Sequence, residues 1–214
     1  MKPNEKLIDS KTGCEVALFP LEYLNMSQDE GGDYSHAGTL SMDFLGWGIS
    51  GRLLKCPYYA PVSCTCIGST ESANRIWQSN NKVLFADGTI DYMTWVQAHD
   101  NNPHPVGTVL NQGDLLGHTG TAGNVTGDHL HLNVAKGKYA NWEQVPPNNK
   151  WQLKNSIHIY DALFVNDTVI IKGFNKPWKT YSGPAPVKNE KNKFKWVLYG
   201  KRLRDRTQNN KKSI

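Results

Sequence analysis

The stretch at residues 117–134, GHTGTAGNVTGDHLHLNV, decides how this chain reads. Side chains alternate along a strand, so His129 and His131 point the same way, with Asn133 next in the row. Two imidazoles at that spacing can share one small target. The glycines just before them, Gly117, Gly120, Gly123 and Gly127, suit tight turns that let backbone pass close to a site. By itself a His-x-His pair also describes two surface histidines on a strand. Partners have to come from elsewhere in the chain.

Upstream, short strand patterns alternate with turn signals: residues 62–67, 75–78, 82–85 and 89–98, the last two joined across Asp87-Gly88. Asp-Gly between two β-rich runs is the strongest hairpin mark in the chain. Residues 106–110, the turn Asn111-Gln112-Gly113-Asp114 and residues 115–118 lead back into the opening stretch. No helical periodicity of useful length precedes Asn155. The pattern predicts a mainly β fold built of antiparallel strands. His99 falls at the end of the strand that begins near Thr89, where loops project over a sheet edge and sites collect. His104 and His118 have no spacing relation to the others and read as bystanders.

Further back, GGDYSHAGTLSMDFLGW at residues 31–47 carries His36 and Asp43, with six residues between them and a short strand over 42–45. A neutral nitrogen and a hard carboxylate oxygen are an ordinary pair of zinc ligands. They are equally an ordinary surface hydrogen bond.

Composition bounds the alternatives. The chain has 214 residues, 38% of them hydrophobic, enough for one domain with a core that needs no staples. No apolar run approaches the ~20 residues of a transmembrane helix, and the mean hydropathy is −0.56. Residues 1–16 lack the apolar core of a secretory signal, so classical export is not expected. Cys14, Cys56, Cys64 and Cys66 are too few and too irregular for a disulfide scaffold. Cys64-Thr65-Cys66 has no second pair to complete a zinc knuckle, and buried or reduced thiols are expected.

Charge is concentrated at one end. Residues 188–214 hold ten Lys or Arg against Glu190 and Asp205, a net of +8; the whole chain carries +5, which leaves −3 for residues 1–187. Such a tail can meet an anionic polymer or remain a solvated extension. Residues 139–151 read as a loop over one end of the domain, because Pro146 and Pro147 interrupt it. Residues 155–186 read as a segment packed on the main domain, with a short helix or strand at 156–165 and a strand at 168–171. His158 there reads as structural. Trp178, Tyr181, Phe194, Trp196 and Tyr199 are either a stacking surface for sugars or bases, or a hydrophobic patch.

The order His36 with Asp43, His99 at a strand end, a Gly-Asp turn with Leu-Leu-Gly-His-Thr-Gly, then Gly-Asp-His129-Leu-His131-Leu resembles the lysostaphin/LytM-type zinc metalloendopeptidases. The resemblance runs from about residue 23 to residue 136, and its most specific part is the final segment. It implies an antiparallel β-sheet sandwich with a narrow groove, similar to a duplicated hybrid motif. It also implies one Zn2+ held by His36, Asp43 and His131, with His99 and His129 as the catalytic pair. The chain departs from the family in one respect: many members place three residues, not six, between the first His and the Asp.

Three protein ligands leave zinc a fourth position, where a water has its pKa lowered to about 7 and a carbonyl can be polarised. No His-Glu-x-x-His helix offers a glutamate base, so a histidine pair would move the protons. Asn133 is a candidate to orient an imidazole and Tyr34 to hydrogen-bond a developing oxyanion. By position, residues 1–154 form the peptidase domain with its lead-in, 155–187 a packed segment and 188–214 a basic tail. The implied function is hydrolysis of cross-links or stem peptides of bacterial peptidoglycan. Without a signal, the implied setting is a bacteriophage endolysin released to the wall, or a lysin carried on the phage particle. The alternative is a non-catalytic wall-binding or phage assembly module of the same fold. The tail would favour anionic wall polymers, and a specific nucleic-acid partner is not expected.

Overall fold

Strand Leu130–Lys136 lies inside a nine-stranded sheet in a computed structural model of the chain, which describes residues 1–33, 35–70 and 73–183. Tyr34, the aromatics Phe194, Trp196 and Tyr199, and the basic stretch 188–214 lie outside the described residues. Along the sheet the strands run Val109–Leu110, Cys64–Gly68, Arg75–Ser79, Met93–Ala98, Leu130–Lys136, Met42–Phe44, Tyr23–Gln28 and Val169–Lys172. Ser156–Ile157 pairs with Leu130–Lys136 off that path. Every pairing in this sheet is antiparallel except Tyr23–Gln28 with Val169–Lys172. Four smaller sheets and one helical turn, Ile159–Ala162, complete the described elements, so the chain is nearly all β as its strand patterns predict.

Period-two alternation separates core from site. Leu130, Leu132 and Val134 face the main core, together with Met93 and Trp95 on one neighbouring strand and Met42 and Phe44 on the other. Trp77 stacks on Trp95 with centroids 6.3 Å apart. Phe19, Tyr58, Leu116, Ile159 and Leu163 close over this face as the second layer. Each large side chain fully buried there is worth about 1.5–3 kcal/mol. The other face carries His131, Asn133 and Ala135, with Ile76, Val96, Ala135 and Leu153 forming a smaller cluster. Among the described residues nothing as large as the main core covers that side, and the sheet offers it as a floor for a site.

The hairpin at Asp87-Gly88 forms, with Gly88 at φ +87° and the Asp87 carboxylate accepting from the Thr89 N–H at 2.9 Å. The strand expected over 89–98 divides at Tyr92. Ile90–Asp91 pairs with Val83–Leu84 in a small sheet, while Met93–Ala98 joins the large one. The Asp91 side chain takes the Tyr92 N–H at 2.8 Å, which removes a ladder donor at the break.

Residues 139–151 are not the loop expected. Trp142–Val145 and Lys150–Leu153 form an antiparallel hairpin, and Pro146 and Pro147 sit in its turn, where a missing N–H costs no ladder bond. Beyond it, Ile159, Ala162 and Leu163 are buried in the main core. All four cysteines are free; Cys56, Cys64 and Cys66 are buried, and burial raises each of those thiols above its ordinary pKa. Among the described residues no helix is long and apolar enough to cross a membrane.

Candidate metal centre

Three adjacent strands bring the site together. His131 and Asp43 are directly paired across neighbouring strands, and Ala98 is the partner of His131 on the other side. Directly opposed residues hold their Cβ atoms about 5 Å apart, so the imidazole and the carboxylate meet above the sheet. His131 Nδ1 lies 2.9 Å from Asp43 Oδ1. His36 arrives from the loop before Met42–Phe44, fully buried, with Nε2 3.2 Å from Asp43 Oδ1 and 3.2 Å from His131 Nδ1. The longer loop is held by Thr39, whose N–H and hydroxyl both donate to the His36 carbonyl, at 2.8 and 3.1 Å. Gly38, at φ +81°, lies so close to the Pro146 carbonyl that a side chain there would collide with it.

His36, Asp43 and His131 are the group among the described residues whose donor atoms can hold a metal ion. The donor set fits one: two imidazole nitrogens and a carboxylate oxygen converge at 2.9–3.2 Å. Donors about 2.0–2.1 Å from a tetrahedral zinc keep roughly 3.3 Å from one another. Burial by itself would raise the Asp43 carboxyl, but the polar contacts of its oxygens with the His131 and His36 rings outweigh it and hold the group well below the usual carboxylate range. Burial lowers His131 against the opposing pull of Asp43, so its ring is neutral and can offer a lone pair.

His99 and His129 flank the group. Their rings lie 4.6 Å apart, His99 is 5.9 Å from the His131 ring, and His129 Nε2 is 3.5 Å from Asp43 Oδ2. His99 ends its strand at φ +77°, a conformation uncommon for a residue with a side chain. Two bonds to Ala122 hold it: its ring Nδ1–H donates to the Ala122 carbonyl at 2.9 Å, and its own carbonyl accepts the Ala122 N–H at 3.1 Å. Burial pushes its pKa down to about 4, so the ring is neutral near pH 7.

Backbone carbonyls orient three of the four rings. His36 Nδ1 bonds Asp29 O at 3.0 Å, His99 bonds Ala122 O, and His129 Nδ1 bonds Gly127 O at 2.8 Å. With the proton fixed on Nδ1, each leaves Nε2 free. Asn133, expected to orient an imidazole, instead accepts the Leu153 N–H at 2.8 Å and the Ser156 hydroxyl at 3.1 Å. His104 bonds Leu115 O, and His158 bonds Glu30 at 2.7 Å, both outside the group.

Other supports leave no motif in the sequence. Asp128 sits before the His-x-His strand and accepts from Thr119 at 2.6 Å and from the Lys55 N–H at 3.1 Å, while Arg52 donates to its carbonyl. Lys176 donates to Asp29 at 2.9 Å and to Glu30 at 3.1 Å, clamping the turn whose carbonyl holds His36. Of the early glycines, Gly117 and Gly120 allow close approach. A side chain at either would collide, with Asp100 and Tyr58 at Gly117 and with the His99 carbonyl at Gly120.

Fold and site together define a nearly all-β chain with, among the described residues, one His-Asp-His group suited to a divalent cation and two further histidines beside it. The chain is similar to Morphogenesis protein 1 of Bacillus phage B103, 45% identical over 172 residues, which cover 79% of this chain and 45% of that protein. It thus spans under half the length of that relative. No family profile matches. The catalytic domain of lysostaphin from Staphylococcus simulans is similar at TM-score 0.34 and 18% identity, over 63% of this chain and 85% of that one. A zinc-containing peptidase from Vibrio cholerae is similar at TM-score 0.38 and 13% identity, over 60% of this chain and 42% of that one.

Proposed function

We propose that the chain is a zinc-dependent endopeptidase acting on peptides of bacterial peptidoglycan, with His36, Asp43 and His131 as metal ligands and His99 and His129 as the catalytic pair. The observation that carries this is the convergence of His36 Nε2, Asp43 Oδ1 and His131 Nδ1 within 3.2 Å of one another. A bound zinc ion would supply a Lewis acid for the scissile carbonyl and acidify a water to near neutrality. His99, neutral and held with Nε2 free, accepts a proton; His129 stabilises charge or hands a proton to the departing amine. Asp43 keeps its charge and a single orientation between two rings. The Ala122 and Gly127 carbonyls hold the two catalytic imidazoles in one tautomer through the cycle. In this reading residues 1–154 carry the chemistry, the described part of the 155–187 segment buttresses the sheet, and residues 188–214 concentrate the chain on anionic wall polymers.

The name of the phage relative, a morphogenesis protein, favours a lysin carried on a phage particle over a freely released endolysin. It equally favours the alternative, an assembly module of the same fold without turnover. Purified cell walls incubated with the protein, with and without a chelator, separate these readings. Chelator-sensitive release of peptides with new amino termini, read by mass analysis, is the expected result. Intact walls after prolonged incubation with zinc-loaded protein would leave the assembly module.

A further inference from the structure

Beside the histidine group, on the same face of the sheet, lies a second cleft of about 560 Å3, a size that holds small ligands. His131 lines both this cleft and the one containing His99 and His129. Val96 lines it from the sheet, and the hairpin Trp142–Val145/Lys150–Leu153 contributes Trp142 and Trp151. Trp142 pairs with Leu153 and Gln144 with Trp151 across the hairpin, so alternation puts both indoles on one face. Leu153 packs on that face into the Ile76, Val96 and Ala135 cluster, with Trp142 against it.

The hairpin is held in three places. Its turn meets Gly38 in the His36 loop; Gln152 accepts the Leu40 N–H at 3.1 Å; and Asn133 accepts the Leu153 N–H. The cleft is therefore set in position against the metal group before any ligand arrives.

Its chemistry is specific. Among the described residues no Asp, Glu, Lys or Arg lines it; the polar contributions are neutral amides and hydroxyls such as Asn133, Asn141 and Ser41. Two residues that line it each carry a buried donor, Trp142 Nε1 and Asn133 Nδ2, with no hydrogen-bond partner among the described residues. The Asn133 amide cannot turn to relieve this, because its oxygen already accepts two bonds. A buried donor left unpaired costs about 1–3 kcal/mol, so an acceptor oxygen that came within reach of either would be favoured. Trp151 lines the cleft while 60% exposed, which leaves its indole accessible to a ligand. An aromatic face with neutral donors and, among the described residues, no Asp, Glu, Lys or Arg matches an N-acetylated pyranose. Its C–H face stacks on an indole, and its acetamido carbonyl and hydroxyls accept hydrogen bonds. A stem peptide with free carboxylates and amines would find no Asp, Glu, Lys or Arg to pair with among the described residues of the lining.

We infer that this cleft binds an N-acetylated amino sugar of the glycan strand while the attached peptide enters the neighbouring histidine cleft. The binding rests on the cleft alone; its place in the polymer rests on the function proposed above. Titration calorimetry with a β-1,4-linked N-acetylglucosamine tetramer tests it. The protein should bind the tetramer, Trp151→Ala should weaken binding at least tenfold, and the de-N-acetylated tetramer should bind correspondingly less well. With active protein, Trp151→Ala should also lower the ratio of kcat/KM on intact walls to kcat/KM on a glycan-free stem peptide at least tenfold. An unchanged ratio, or no binding of the tetramer at millimolar concentration, overturns the inference. Tetramer binding by a protein that cleaves nothing would refute the peptidase and leave the cleft standing.

Discussion

Replacing Gly120 by alanine tests how closely the glycine-rich stretch and the proposed catalytic pair, His99 and His129, are joined. A Cβ at Gly120 would meet Asn101 Oδ1 at 2.5 Å and collide with the His99 carbonyl, whereas ordinary contact begins near 3.4 Å. Something must move by about 1 Å, a misplacement that can cost 10²-fold in rate. Neither neighbour yields easily. Asn101 Oδ1 accepts the Thr121 N–H at 3.0 Å, and the His99 carbonyl accepts from Ala122. Gly120 itself is bridged to His129, so the strain falls between the His99 and His129 rings and spares the proposed metal ligands. Overpacking of this kind costs about 1–3 kcal/mol in stability. Gly120→Ala should therefore lower kcat/KM on a cross-linked peptide about 10²-fold while zinc content per chain stays at that of the unsubstituted protein. Gly127→Ala is the control, since nothing lies within 4 Å of a Cβ there, and it should be close to neutral. A fully active Gly120→Ala, or one that also loses metal, would refute the claim that this glycine serves the catalytic pair.

Other outcomes follow from the same geometry. His131→Ala should lose both zinc and turnover, while His99→Ala should keep zinc and lose turnover; metal analysis beside a rate assay reads both. Lys176→Met removes the clamp on the turn that orients His36, and should weaken zinc binding about tenfold in a competition titration, with Lys176→Arg restoring most of it. In metal-free protein the unfolded chain protonates His99 near the ordinary 6.5, whereas the folded chain does so only at about 4. Between those values the unfolded state binds more protons, so stability should fall as pH drops from 6.5 towards 4 and the His99 contribution should level off below. Denaturation midpoints across that window should slope less in His99→Gln.

Much of the fold is visible in local pattern. Alternation in Leu130–Lys136 separates core from site without further information, and Asp87-Gly88 marks its own turn. The hairpin carrying Trp142 and Trp151 was hidden because Pro146 and Pro147 suggest coil, and only the pairing of its arms shows that they occupy a turn. His36, Asp43, His99, His129 and His131 could be singled out because their side chains carry recognisable chemistry. What orients them could not, since the Asp29, Ala122 and Gly127 carbonyls belong to backbone that every residue has. Asn133 shows the converse error: a polar residue on the right face spends its oxygen on the hairpin. Its position was legible, its partners were not.

The central claim is that two histidines and one aspartate from separate segments hold a single zinc ion. X-ray absorption at the zinc edge, on protein loaded with one equivalent, tests it most directly. The account predicts a first shell of nitrogen and oxygen only, near 2.0–2.2 Å, with two imidazole signatures that disappear when His36 and His131 are both replaced. Sulfur at about 2.3 Å, or an unaltered spectrum in that double variant, would contradict it.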